Sequence, residues 1–251
     1  MKQSYISSTS HPLIKEITHL QQSAFRRQKR WFVAEGLRVV QSFLHAGYQP
    51  LYLFCQEYVC SVEIERLCDH HETIFVSEHV LHKMSSCKTP SGILAVFDQS
   101  SSDFENSTTP ALVLAQVSDP GNMGTLLRTA AACGLKTAIV VEGVDPWSSK
   151  VIQASAGSIA HLSVYELAWQ ELVLYAKKQE ITLHALVVDG APDLCTVQNQ
   201  FLIVGNEAHG IPKEWQQECD IRTTIVMPGK TESLNAAVAG SIALYNSFVR
   251  R

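Results

Sequence analysis

The chain has 251 residues, 46% of them hydrophobic and 18% charged, with a formal net charge of −4. A chain of this length can bury one large core or two modest ones. No run approaches the roughly 18 consecutive apolar residues of a membrane span, and the slight acid excess excludes a protein that coats its whole surface with nucleic acid, though not one with a local basic face.

The N-terminal stretch MKQSYISSTSHPLIKEI lacks an apolar core followed by a small-residue cleavage site, so a cytoplasmic location is expected. A first helix is expected from about Pro12, with Leu13, Ile17, Leu20 and Ala24 on one face. Short apolar runs then alternate with helical patterns: WFVA, a helix from Glu35 to His45, PLYLFC, a helix near Val62 to Cys68, TIFV, a short helix from His79 to Met84, and GILAVF. This is a small α/β module over residues 1–98. Its first forty residues carry Lys2, Lys15, Arg26, Arg27, Lys29, Arg30 and Arg38 against only Glu16 and Glu35. On composition alone, such a run is a solvated face. Cys55, Cys60, Cys68 and His70 contain no Cys-x-x-Cys pair, so free thiols are expected rather than a zinc site, and no metal is called for. Seven cysteines without a secretory signal also argue against a disulfide framework.

The segment QSSSDFENSTTP, residues 99–110, is polar and ends in Pro, as a linker does. Beyond it, residues 111–251 alternate more strongly. ALVLAQV, TAIVV, HLSVYE, LHALVV, FLIVG and TTIVM are predicted strands. Helices are expected at Gly124–Cys133, Trp147–Gly157 and Trp169–Lys178, and from about Ser233, where Leu234, Val238, Ile242, Tyr245 and Val249 share a face. Continuous apolar strands separated by helices give a mostly parallel sheet with helices on both faces, whose ligands bind beyond the carboxyl ends of the strands.

Those ends carry the unusual residues: SDPGNMG after the first strand of this half, NEAHGIP after FLIVG, and PGKTESLN after TTIVM. Together they are expected to form a pocket into which Asn122, Glu207, Ser233 and Asn235 project. Taken singly, each loop is as well explained by a tight turn using Gly and Asx residues. GNMGTLL lacks the third glycine of a dinucleotide fingerprint, GNEAHGIP has no Lys-Ser/Thr after its GxxxxG spacing, and no GxSxG elbow occurs. A nucleotide-dependent enzyme of doubly wound fold is therefore disfavoured.

VSDPGNMGTLLRTAAACG, IVGNEAHGIP and IVMPGKTESLNAAVAGSIALY resemble the three ordered motifs of the SpoU (TrmH-type) RNA ribose 2′-O-methyltransferases of the SPOUT superfamily, and GVDPWSSKVIQASAGSIAHLSV is similar as well. The N-terminal part, with HPLIKEITHLQQSAFRRQKRWFVAEG and TPSGILAVF, resembles their L30e-like substrate-binding domain. The resemblance implies S-adenosylmethionine as methyl donor, a deep trefoil knot at the C-terminal end, and a homodimer whose active sites take residues from both protomers. It implies Gly205, Asn206, Ile225, Met227 and Leu234 around the donor, and Arg128 and Asn122 at catalytic positions, with Glu207, Ser233 and Asn235 holding the loops. It also raises Arg26, Arg27, Lys29 and Arg30 to candidates for RNA-backbone contact. Arg128 has two open roles. The family proposal makes it a general base, whereas a guanidinium pKa above ~12 favours a phosphate clamp. One departure is Val226, where the family often has Pro. Ribosomal RNA is the expected substrate by family analogy, with transfer RNA, or RNA binding without catalysis, as the alternatives.

Overall fold

The computed structural model describes all residues except 1–3, 59–60, 100–103, 105–106, 108, 193–198, 230–232 and 250–251. Cys60, Cys195, Lys2 and most of the expected linker therefore lie outside the described residues. The chain forms two compact units, Met1–Ser101 with Trp147–Ala160, and Ser102–Pro146 with His161–Arg251.

The first unit runs β1 (Ser4–Ile6), α1 (Pro12–His19), α2 (Ser23–Lys29), β2 (Trp31–Glu35), α3 (Leu37–His45), β3 (Pro50–Gln56), α4 (Val62–His70), β4 (Ile74–Val76), α5 (Glu78–Met84) and β5 (Ile93–Asp98). Its sheet has the order β1-β4-β3-β5-β2. Strand β5 is antiparallel to both neighbours, while β4 is parallel to β1 and β3. One face packs Val33, Phe54, Leu94 and Val96 against Ile14, Ile17, Leu20 and the α5 residues Val80, Leu81 and Met84. The expected first helix is divided. It ends at His19, and Ala24 falls on the separate helix α2, where it is exposed.

The second unit contributes β6 (Ala111–Ala115), α6 (Pro120–Ala132) and β7 (Thr137–Val141); helix α7 (Ser149–Ala154) follows. It then continues through β8 (Ser163–Leu167), α8 (Trp169–Lys178), β9 (Thr182–Ala191), β10 (Gln200–Val204), α9 (Lys213–Gln217), β11 (Ile221–Thr223) and α10 (Ala236–Phe248). The six strands lie in the order β11-β9-β10-β6-β7-β8, all parallel. Strands β6, β7 and β10 are buried along their whole length, which explains their unbroken apolar runs.

The segment Trp147–Ala160, read from sequence with the C-terminal half, packs on the first unit. Trp147 is 4% exposed and its ring lies 4.8 Å from that of Phe32, within an aromatic layer that includes Phe43 and Phe97. Gln153 Nε2 donates to Glu35 O at 2.7 Å, and Ser42 Oγ donates to Gly157 O at 2.9 Å. Trp147 is thus a packing residue, and the apolar area it buries fixes the segment there.

Two departures from the expected elements shape the second unit. TTIVM is not a strand to its end: β11 stops at Thr223, and residues 224–228 leave the sheet. His184, fully buried on β9, lies 2.8 Å from Gln200 Oε1 and 2.7 Å from Thr223 Oγ1, which pins β11 to its neighbours. Gly190 lies so close to Thr223 that a Cβ there would meet backbone at 2.5 Å. The register shifts at that point, and Ile225 and Met227 are freed from the sheet. The second departure is α10. Its apolar stripe does not face the core: Val238 and Tyr245 are 49% and 54% exposed. The buried face consists of Ala237, Gly240, Ala243, Leu244 and Ser247. Small residues let α10 lie close on α6, since a Cβ on Gly240 would reach Leu126 Cδ2 at 2.4 Å.

Candidate active site

The loop after β6 begins with Gln116, whose φ of 55° is left-handed for a residue with a side chain. Helix α6 then starts at Pro120, four residues before the expected Gly124. Asp119 is its N-cap, its Oδ1 accepting from Asn122 N at 2.8 Å, and Pro120 stands in the first turn. This start places Asn122 at the mouth of the loop, with Gly121 packed so tightly that a Cβ would lie 3.0 Å from the capping oxygen.

The loop after β10 folds back on itself. Asn206 and Gly210 exchange both backbone hydrogen bonds at 3.0 Å. Gly205 permits this, because a Cβ there would sit 2.5 Å from Gly210 C and Ile211 N. Asn206 Oδ1 accepts from the amides of Ala208 and His209, while its Nδ2 donates to Gln116 O at 2.8 Å. The second loop is thereby fastened to the first.

The Glu207 carboxylate completes that connection. Oε2 accepts from Ser118 N and Oγ at 3.2 and 2.9 Å, and Oε1 from Asp119 N and Asn122 Nδ2 at 3.1 and 3.0 Å. The third loop joins through Asn235, the N-cap of α10. Its Oδ1 accepts from Ala237 N and Val238 N, and its Nδ2 donates to Asn122 Oδ1 at 3.0 Å. An unbroken chain Asn235–Asn122–Glu207 thus links segments more than eighty residues apart in sequence.

This network sets the ionisation of Glu207. Burial alone would raise its pKa, but the hydrogen bonds from Asn122 and from the Glu207, Ser118 and Asp119 amides outweigh it and bring the pKa from 4.5 down to about 2. A carboxyl held below its ordinary value stabilises the fold fully above about pH 4.5 and loses that contribution as the pH falls toward 2. Glu207→Gln is therefore expected to flatten the acid limb of stability. Urea unfolding at a series of pH values between about 2 and 5 checks this. An acid limb identical to wild type would detach Glu207 from the network.

Beside the chain lies a cavity of about 280 Å³. Small-molecule pockets are roughly 300–1,000 Å³, so it stands at their lower end. Gly205, Asn206, Glu207, Ile225, Met227, Ser233 and Leu234 line it, together with Leu186 and Val187, where β9 runs on past its pairing with β10. Val226 is 63% exposed and is not among the lining residues, so the departure from Pro at that position leaves the cavity untouched. Apolar walls with backbone groups at one edge suit a planar heterocycle, and the carboxylate and amides at the other suit polar substituents.

The structure thus brings together Asn122, Gly205, Asn206, Glu207, Ile225, Met227, Ser233, Leu234 and Asn235; of the four residues expected to project into the pocket, Glu207 and Ser233 line it, while Asn122 and Asn235 bond to each other beside it. Arg128 stands apart. It is exposed, six residues and ~9 Å along α6 from Asn122, with no partner among the described residues. The basic candidates of the first unit also divide. Arg26 is removed from the RNA-facing set: it is 4% exposed and its Nη1 donates to Leu20 O at 2.6 Å, so it serves the α1–α2 turn. Lys29 forms an ion pair with Glu16 and lies over the Phe25 and Trp31 rings. Arg27 and Arg30 are exposed. The sequence places Ser118 and Asp119 in the loop SDPGNMG, but neither was among the expected site residues. An Asp-Pro pair directly before a helical pattern is an N-cap signal that could have found both.

A doubly covered parallel sheet with three clasped loops and a cavity at one edge defines an α/β domain that binds a small molecule beyond its strand ends. The family model described as the SpoU rRNA Methylase family matches residues 110–245, and that of the MRM3-like substrate binding domain matches residues 11–95. An uncharacterized tRNA/rRNA methyltransferase of Synechocystis is 30% identical, over 96% of this chain and 92% of its own. The 23S rRNA (guanosine(2553)-2′-O)-methyltransferase RlmP of Bacillus subtilis is 28% identical, over 98% and 99% of the two chains. The crystal structure of an AdoMet-bound rRNA methyltransferase from Sinorhizobium meliloti superposes with a TM-score of 0.85 at 26% identity, covering 96% of each chain. The chain belongs to the SpoU rRNA methylase family.

Proposed function

We propose that this protein transfers the methyl group of S-adenosylmethionine to a ribose 2′-hydroxyl of ribosomal RNA. The observation that carries this reading is the Asn235–Asn122–Glu207 chain, which clasps the three family motifs together beside a cavity lined by the second and third. The residues present fit the donor. Ile225, Met227 and Leu234 offer an apolar slot, and Gly205 lets the loop beside it close on the Gly210 and Ile211 backbone. When bound, S-adenosylmethionine supplies an already activated methyl group. The task left to the protein is to orient the hydroxyl and take up its proton. Asn122 sits where the loops meet, with its side chain locked by Glu207 and Asn235, so it is preorganised to orient a sugar hydroxyl.

The same reading makes the protein a homodimer through the second unit. The outward stripe of α10, with Val238, Ile242 and Tyr245, borders a groove with Thr125 of α6, and Arg128 lies one helical turn beyond Thr125. A second copy docked on that stripe receives Arg128 at its own site, which accounts for the distance of Arg128 from Asn122 within one chain. The trefoil knot belongs to this reading too, supported by family membership and by the return of α10 onto α6 and Val204. So do residues 1–98 as the RNA-binding domain, with Arg27, Lys29 and Arg30 facing RNA, and a cytoplasmic location. No described helix is long and apolar enough to cross a membrane. Ribosomal RNA is preferred to transfer RNA because RlmP, similar over nearly the full length of both chains, is named for a 23S rRNA substrate. The test is incubation with S-adenosylmethionine and unmodified ribosomal RNA, followed by digestion to nucleosides. A 2′-O-methylated nucleoside supports the reading, and cofactor binding without transfer to any RNA supports a non-catalytic RNA-binding protein.

A further inference from the structure

Strands β6 and β7 end in register, Ala115 opposite Val141. The next residue on each strand, Gln116 and Glu142, is left-handed, with φ of 55° and 54°. Neither residue is Gly, Asn or Asp, so each conformation is strained and persists only where the surroundings impose it. The two side chains meet: Gln116 Nε2 donates to Glu142 Oε2 at 2.9 Å. The carboxylate fixes the orientation of the amide, because only its nitrogen can donate. The pair is also tied to the active site, since Asn206 Nδ2 bridges Gln116 O and Ser118 Oγ, and Ser118 Oγ donates to Glu207.

The order of strands gives this placement meaning. The cavity lies where β9 runs past the end of β10, the Asn122–Glu207 junction at the ends of β10 and β6, and the Gln116–Glu142 pair at the ends of β6 and β7. Neighbouring strands are ~4.8 Å apart, so along the edge Gln116 stands one strand spacing and Glu142 two from the end of β10. A nucleoside laid along that edge, with its ribose at Asn122, brings its base to the pair.

We propose that Gln116 and Glu142 read the base of the acceptor nucleotide and select guanosine, an inference that rests on the methyltransferase reading above. The remaining Nε2 hydrogen of Gln116 and the two oxygens of Glu142 form a donor–acceptor–acceptor array. Guanine presents the complement on its Watson–Crick edge: O6 accepts, and N1–H and N2–H donate. Cytosine presents the reverse pattern. Adenine places a donor against a donor, and uracil matches two positions and opposes the third with a carbonyl. The pair is exposed in the free chain, so it is the docked base that covers it, and a donor or acceptor left unpaired beneath that base is what makes such discrimination strong.

The experiment uses the full-length protein, S-adenosylmethionine and protein-free ribosomal RNA transcribed in vitro, with the methylated nucleoside identified by mass spectrometry. Wild type is expected to yield 2′-O-methylguanosine alone. Glu142→Gln places a donor where the array accepts, and is expected to lower kcat/KM roughly tenfold or more while calorimetric affinity for S-adenosylmethionine is unchanged. Glu142→Asn is the control for folding, because Asn tolerates the left-handed region better than Glu. It is expected to melt no lower than wild type and still lose tenfold or more in kcat/KM. Methylation of another nucleoside, or full turnover by both variants, overturns the base-reading role and leaves the methyltransferase reading standing. Absence of any methylated nucleoside overturns the methyltransferase reading, and the base-reading role with it.

Discussion

Gly205→Ala is expected to weaken S-adenosylmethionine binding roughly ten- to hundredfold and to lower stability by about 1–3 kcal/mol. The added Cβ would lie 2.5 Å from Gly210 C and Ile211 N. Both are backbone atoms, so no side chain can swing aside. The loop must open where Asn206 and Gly210 exchange hydrogen bonds. Opening it draws the Asn206 amide from Gln116 and the Glu207 carboxylate from Ser118, Asp119 and Asn122. One methyl group therefore disturbs both the cavity wall and the junction of the three loops. Calorimetric titration of the variant checks this, and an affinity equal to wild type would mean that the loop does not form the donor site.

Arg128→Ala is expected to lower methyl transfer roughly a hundredfold or more, the scale of a lost positioning or acid–base group, with donor affinity nearly unchanged. The residue lies outside the cavity lining and outside the network around Asn122. Its contribution must come through the RNA or through a second copy. A guanidinium offers a planar fork of N–H donors and no acceptor, so a grip on the target phosphate fits its chemistry better than proton abstraction. Mixing decides the route. If Arg128 serves the partner's site, heterodimers of Arg128→Ala with Gly205→Ala chains contain one complete site, and the mixture regains activity that neither variant has alone. No recovery on mixing, with heterodimers present, would place Arg128 at the site of its own chain.

Much of the architecture was legible because it follows from periodicity. Unbroken apolar runs in ALVLA, TAIVV and FLIV reflect strands buried on both faces. The Gly-bearing polar loops at strand ends were visible in the same way, and the structure gathers them at one edge. What failed to show depends on long-range geometry. TTIVM has the composition of a strand, yet the bulge opposite Gly190 turns its second half into the cavity wall. The stripe Leu234, Val238, Ile242, Tyr245 and Val249 has core spacing. Nothing local reveals that Ala237, Gly240 and Ala243 take the inner face because α6 lies so close. Arg26 belongs to a basic run, but burial against Leu20 O separates it from Arg27 and Arg30. The partner of the Glu207 carboxylate was invisible for the same reason: 85 residues separate it from Asn122.

The central claim is that three loops distant in sequence form one donor site. A crystal structure with S-adenosylhomocysteine, which carries no transferable methyl, tests it most directly. The account predicts the adenosyl group inside the cavity, against Gly205, Ile225, Met227 and Leu234, with the Asn235–Asn122–Glu207 chain intact beside it. Ordered ligand at any other place on the chain, with this cavity empty, would contradict it.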